Sequence, residues 1–418
     1  RVSRGLGDVY KRQVKGMLSS LHGSAGAITA LQNSVAHYYQ RASSADYLGV
    51  DPTRRSLTGT GGYVKVGRKG NAKWNFSETF TWSSPGFDLN DMGYMKETDY
   101  LMNETEIMYR QTDIWKIFRY NAFTLSQKNM WNYGGTPFSN NASLRWQSMT
   151  MNRYEWDVKE TFAWNWLDSR LLRGGPDVRF GSYFLTSAKF NTDKAKRMMF
   201  MLKYEGDHNF EGNRFNTISP SLTFRLGNHV YLSGQLDYAW NTDEMQYVAT
   251  TSPLSSSSLA PYYYVMGHMD QKTYGLTLKL QVNVTPDISI QFYGAPFTSI
   301  AKYDDFKLAA DTKSHTFENR FQRIDPDQLT YADGVYTIGE GAGQMPFRNP
   351  DFRFNEFRSN LVARWEYLPG STLYFVWEHR MSNRDNWYSS GWGSNLDRMW
   401  GLPATNTFMI KMNYWFNL

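Results

Sequence analysis

Residues 273–297, TYGLTLKLQVNVTPDISIQFYGAPF, constrain this chain more than any other stretch. Tyr274, Leu276, Leu278, Leu280, Val282 and Val284 recur at every second position, and Thr273, Gly275, Thr277, Lys279, Gln281 and Asn283 fill the places between. Side chains alternate sides along a strand but recur every three or four residues along a helix, so this period demands an extended, two-faced strand. Thr285-Pro286-Asp287 supplies a turn, with Pro fixing φ and Asp able to bond nearby backbone. Ile288, Ile290 and Phe292 then repeat the alternation on the way back. Strands of soluble proteins average about five or six residues. A strand of about twelve, apolar on one side and lysine- or amide-bearing on the other, predicts a wall between lipid and water.

Composition is compatible with a wall built from strands, and equally with a soluble all-β protein rich in aromatics. Mean hydropathy is −0.58, and no run reaches the roughly 18 apolar residues of a membrane helix. Alternation with a polar interior and wet loops averages out hydrophilic. Aromatic residues make up 17% of the 418, an excess that aromatic girdles at two membrane interfaces would account for. The chain has no cysteine, which removes disulfide scaffolds, thiol nucleophiles and Cys-based zinc sites. Residues 1–13, RVSRGLGDVYKRQ, lack an apolar signal-peptide core and read as translated adapter sequence from an environmental assembly. They carry a net +3 of the chain's +6, so the remainder is close to neutral and offers no footprint for nucleic acid. Residues 14–418 are then expected to be one β-barrel domain, a C-terminal fragment.

Alternating segments recur along the whole chain. Strands are expected at 14–24, 56–68, 73–83, 105–111, 115–126, 141–150, 154–166, 179–190, 197–206, 216–226, 230–240, 245–251, 262–269, 273–284, 288–297, 354–367, 371–380 and 407–418, with a short helix over 25–35. Counting back from the last strand, the connections at 369–370, 286–287, 227–228, 191–196, 152–153, 112–114 and 70–71 fall on one side and are short. The long ones, 84–102, 167–178, 300–353 and 381–406, fall on the other, with 252–261 as an exception to the sorting. Short turns on one side and long loops on the other mark an outer-membrane barrel. The expected fold is therefore an all-β, antiparallel, up-and-down transmembrane β-barrel of about 18 strands, incomplete because its first strands are missing.

Several ordered motifs carry a family resemblance. SPGFDLNDMGY (84–94), LRGGP (172–176), the stretch 264–297, FRSNLVARWEYLPGSTLYFVW (357–377) and HYYQRASSADYLGVDPT (37–53) resemble the DUF5916 family. The resemblance runs from about residue 14 to 418. It implies a large C-terminal outer-membrane barrel that follows a family-9-like carbohydrate-binding module. On that resemblance, the module and the first barrel strands are expected to lie outside this sequence. The chain also departs at its end, where Leu418 stands in place of the usual terminal aromatic and Phe416 lies two positions earlier. The partners implied are outer-membrane lipid, polysaccharide and the barrel-assembly machinery, and the location is the bacterial outer membrane.

Catalytic motifs do not accompany this pattern. His-Glu-x-x-His, Gly-x-Ser-x-Gly and a phosphate-binding loop are all absent, and the histidines at 22, 37, 208, 229, 268, 315 and 379 lack ligand spacing. Gly59, Gly61 and Gly62 lie in a strand run, where a bulge or close packing is expected rather than phosphate binding. Two clusters are worth naming. Asp88, Asn90 and Asp91 are oxygen ligands at a spacing that could hold Ca²⁺, although Asx side chains capping loop turns give the same pattern. Trp387, Tyr388, Trp392 and Trp400 stand among amides and carboxylates, a mixture that suits sugar rings and equally suits packing on a barrel rim. Glu366 and Glu378 share the polar side of the last hairpin with Arg364 and Arg380, an arrangement of facing ion pairs rather than a catalytic pair.

The leading functional expectation is a non-enzymatic barrel that anchors or serves a surface carbohydrate-binding module, in glycan capture or uptake. A barrel-associated polysaccharide hydrolase and a solute transporter of the plugged-receptor type are the alternatives.

Overall fold

The structure is a computed structural model and describes residues 9–41, 44, 46–70, 72–91, 93–164, 166–254, 262–386 and 392–416. The protein is all-β, dominated by one large antiparallel sheet. Its strands begin with β1 (Val9–His22), β2 (Ser56–Lys69), β3 (Trp74–Ser83), β4 (Tyr100–Gln111), β5 (Phe118–Trp131), β6 (Pro137–Thr150) and β7 (Glu155–Trp164). Two short strands, β8 (Trp166–Asp168) and β9 (Val178–Phe180), form their own hairpin. The sheet resumes with β10 (Tyr183–Asn191), β11 (Met198–Asn209), β12 (Arg214–Leu226), β13 (Val230–Thr251), β14 (Tyr263–Asn283) and β15 (Ile288–Ala309). Beyond β15 come β16 (Phe321–Arg323) and a small sheet of β17 (Leu329–Ala332), β18 (Val335–Ile338) and β19 (Met345–Arg348). The chain ends with β20 (Phe352–Leu368), β21 (Ser371–Asp385) and β22 (Thr405–Asn413). Helix α1 (Ala25–Gln32) follows β1, capped by Ser24, whose hydroxyl accepts the Ala27 N–H; α2 (Trp392–Trp400) precedes β22.

Each long strand pairs with the one before it in an up-and-down order, β7 joining β10 and β15 joining β20. Among the described residues no pairing links β1 to β22, so these two are the sheet's edges. The extended segment of β1 begins at Val9, and its residues 9–13 pair with 69–65 of β2.

The expectation of about 18 strands is corrected in one region. Segments 230–240 and 245–251 are a single strand, β13, and 262–269 and 273–284 are a single strand, β14. Register shifts at Asp243/Gln246 and Tyr247/Ala249 break the alternation in β13, which is why it reads as two pieces in sequence. β15 likewise runs on to Ala309, into what reads as irregular chain from 300 onward. With these mergers the sheet holds seventeen strands among the described residues, the short β16 included. The connection after Thr251 thereby moves to the long-loop end, and the one exception to the loop sorting disappears.

β13, β14 and β15 are 22, 21 and 22 residues long, so they rise well above their neighbours at the long-loop end. Their upper halves are covered on both faces. Val265, Met269, Ala301, Phe306 and Leu308 pack with Ile338 and Phe347 of the small sheet. Met266, the residue after Val265 and so on the opposite face, packs with Met245, Leu172, Val178 and Phe321.

Candidate functional site

The long connections knit into a cap at one end of the sheet. Asp99, in a left-handed conformation (φ 62°) just before β4, is its first node. Its carboxylate accepts from Arg41 Nη2 at 2.8 Å, the Tyr47 hydroxyl at 2.6 Å and the Tyr133 backbone N–H at 3.1 Å, so four connections converge when Arg41 also donates to Ser169. Burial, reinforced by Asp99, raises the Tyr47 phenol above its ordinary range, and burial pushes Tyr39 up to about 12. The second node is Arg320, fully buried, which donates to both carboxylate oxygens of Glu211 at 2.9 and 2.8 Å and to the backbone carbonyls of Arg179, Ser314 and His315. Glu211 in turn accepts the Gly181 N–H at 2.8 Å. A planar guanidinium with five donors suits such a multi-carbonyl crossing.

Asp88 and Asn90 serve this cap as loop ties. Asp88 is buried, accepting from or pairing with His37 Nε2 at 3.0 Å and accepting the Asn90 N–H at 2.7 Å; Asn90 accepts the Met95 N–H at 3.0 Å. Asp91 is exposed. No group of three or more His, Cys, Asp or Glu able to hold a metal occurs among the described residues. The glycines of β2 are explained by the same loop, since a Cβ on Gly59 would stand 2.1 Å from the Phe87 nitrogen and one on Gly61 would meet the Phe87 ring.

Trp387 and Tyr388 lie outside the described residues, as does Leu418. Trp392 opens α2. Trp400 closes it, half exposed and edge-on to Phe357 at 4.9 Å between ring centroids, which is a packing contact on the sheet. On the last hairpin Arg364 pairs with Glu366 at 2.5 Å, and Arg358 and Arg380 both reach Glu356, at 2.8 and 3.0 Å.

One concavity with a mixed aromatic and acidic lining involves none of the sequence candidates. Residues of the β8–β9 hairpin and of the upper ends of β10–β13 line an open cavity of about 310 Å³. Trp166, Phe180 and Tyr183 form an aromatic wall, Trp166 lying 5.4 Å from Tyr183 and 6.5 Å from Phe180 between centroids. Asp168, Asp207, Asp243, Asn209, Asn241 and Arg214 supply the polar lining. Asp168 Oδ1 accepts the N–H groups of Arg170 and Leu171, and Asp243 Oδ1 accepts that of Met245. These residues come from strands far apart in sequence, and the only local signal is Trp166-x-Asp168, two residues on one side of a three-residue strand.

No curated protein and no solved structure matches the chain. The family model DUF5916, a domain of unknown function, matches residues 23–418. Nearly the whole chain is covered by that match, and the protein therefore belongs to the DUF5916 family.

Proposed function

We propose that this chain is the membrane-spanning β-wall of a bacterial outer-membrane protein that carries a saccharide-handling mouth, anchoring or serving a surface carbohydrate-binding module. The observation that carries the reading is inverted polarity. Phe76 is 46% exposed and the adjacent Ser77 only 7%; Leu144 is 56% and Ser143 4%; Leu125 is 55% and Thr124 7%. Water-soluble sheets bury the apolar residue of each such pair, whereas a barrel in lipid presents it. The apolar side continues around the sheet through Leu222, Leu236, Leu278, Phe375 and Ile410, far beyond the few hundred Å² of apolar patch a monomer in water tolerates.

Aromatic residues bracket this band. Trp74 with Tyr109 and Trp156 with Phe190 lie near the short turns; Trp82, Trp131 and Trp164 lie near the opposite ends of their strands. Trp74 to Trp82 is eight residues on one strand, or about 26 Å of chain and about 20 Å of height at a tilt near 40°, close to the roughly 25 Å apolar band of such barrels. Two carboxylates interrupt the band and each has a cross-strand hydroxyl partner, Thr105 for Glu78 at 2.6 Å and Thr186 for Glu160 at 2.7 Å.

The cysteine-free sequence makes the test direct. Single cysteines at Leu278 and Thr277 in the full chain, labelled with a polarity-sensitive fluorophore, should report lipid at 278 and water at 277 after folding into phospholipid vesicles. A chain that stays monodisperse in buffer without detergent or lipid, with both labels wet, sinks the reading.

A further inference from the structure

We infer that the cavity beneath the β8–β9 hairpin is a binding site for a donor-rich, non-anionic saccharide, a neutral or amino sugar about one or two rings in size. The inference deepens the proposed role and rests on its saccharide half alone; it does not depend on the lipid-facing wall.

Three features converge. Volume comes first: about 310 Å³ lies at the small end of ligand pockets, which span roughly 300–1,000 Å³. The wall chemistry comes second. Trp166, set against both Tyr183 and Phe180, offers a flat apolar face to the C–H side of a pyranose ring, while the opposite lining is carboxylate and amide. A purely apolar ligand would strand those polar groups without partners, at a cost of about 1–3 kcal/mol for each.

Charge comes third and decides the class. Asp168, Asp207 and Asp243 face one arginine, Arg214. Among the described residues no hydrogen bond or ion pair engages the Asp207 side chain; His208 and Asp243 act on it electrostatically in opposite senses, and Lys307 and His268 act on Asp243 from beyond the lining. Asp168 and Asp243 each commit Oδ1 to backbone N–H groups, and their Oδ2 atoms have no such tie. Although burial raises Asp207 and Asp243 toward their protonated forms, the cavity is rich in acceptors, since an ionised carboxylate accepts and never donates. Sugar hydroxyls, or the ammonium of an amino sugar, satisfy them; a uronic acid brings a further negative charge into a lining already short of cations.

The test uses the full chain folded in detergent micelles, titrated calorimetrically with cellotetraose, a chitosan tetramer and tetragalacturonate. The first or second should bind and the third should not. Asp207→Asn and Trp166→Ala should each weaken binding by about tenfold or more, as expected for loss of a charged hydrogen bond or a stacking face, with the far-ultraviolet spectrum unchanged. Phe357→Leu, on the sheet remote from the cavity lining, should leave affinity alone. Equal affinity for all three probes, or saccharide binding untouched by both cavity variants, overturns the site while leaving saccharide handling by the mouth intact. Absence of binding by any probe to folded protein overturns both, and neither result bears on lipid contact at Leu278.

Discussion

Leu278→Arg is the sharpest perturbation of the proposed wall. Leu278 lies on the apolar side of β14, opposite Gly234 of β13 and Gly294 of β15. Both neighbours are glycines, so nothing beside it can shelter a charge. It stands five residues above Asn283, the last residue before the short turn. At about 3.3 Å per residue and a tilt near 40°, that is about 12 Å of height, the middle of a roughly 25 Å apolar band. A guanidinium there should cost about 2–4 kcal/mol. Thr277, one residue away on the polar side and paired with Gln235, is the control; an arginine there should change stability by less than about 1 kcal/mol. The assay is reversible urea unfolding of the full chain in phospholipid vesicles, with both variants compared to the parent. In water the expectation reverses, because Leu278 is 40% exposed and an arginine at such a site costs within about 0.5 kcal/mol. Equal losses at the two positions, or a larger loss at Thr277, would refute lipid contact on this face.

Three further outcomes follow from the described contacts. Thr186→Val removes the hydroxyl donor to Glu160 and should destabilise by about 1.5–3 kcal/mol in the same vesicle unfolding experiment, whereas Thr105→Val should cost less because Glu78 also accepts from Asn103; no loss at Thr186 would mean Glu160 is satisfied elsewhere. Arg320→Ala leaves Glu211 without its bidentate partner in a buried setting; a cost of about 3 kcal/mol or more should appear as rapid proteolysis within 310–320, with the strands still protected. Gly59→Ala drives a methyl group into the Phe87 backbone, so the 84–91 loop should lift from β2 and become protease-sensitive, while an alanine at Gly16, which has open space around it, should be silent.

The strands themselves were legible because alternation is local. Leu276, Leu278 and Leu280 declare their face without reference to anything beyond neighbouring residues, and the long strands other than β13–β15 lie within about five residues of their expected places, whereas the short β8 and β16–β19 and the upper part of β15 fall in stretches read as loop. Loop parity was legible for a related reason, since an up-and-down sheet obliges successive connections to alternate ends. The continuity of β13 was not, because bulges between Asp243 and Ala249 shift the side-chain phase and imitate a strand end.

The candidate site was scarcely legible at all. Glu211 and Arg320 are 109 residues apart, and Arg41 and Ser169 are 128 apart, separations at which no periodicity links them. Trp166 and Asp168 look like the tail of a strand until the fold sets them in one cavity lining with Asp207 and Asp243. The aromatic residues chosen from sequence, Trp387, Tyr388, Trp392 and Trp400, were drawn by composition; the first two lie outside the described residues, and Trp400 packs edge-on against Phe357. The sequence by itself determined which residues are extended, which side of each strand is apolar and which end bears the long loops, because these are short-range consequences of side-chain direction. The tertiary structure alone decided the height of β13–β15, the open edges at β1 and β22, the knitting of the cap and the composition of its cavity. Those depend on which distant strands the sheet brings side by side.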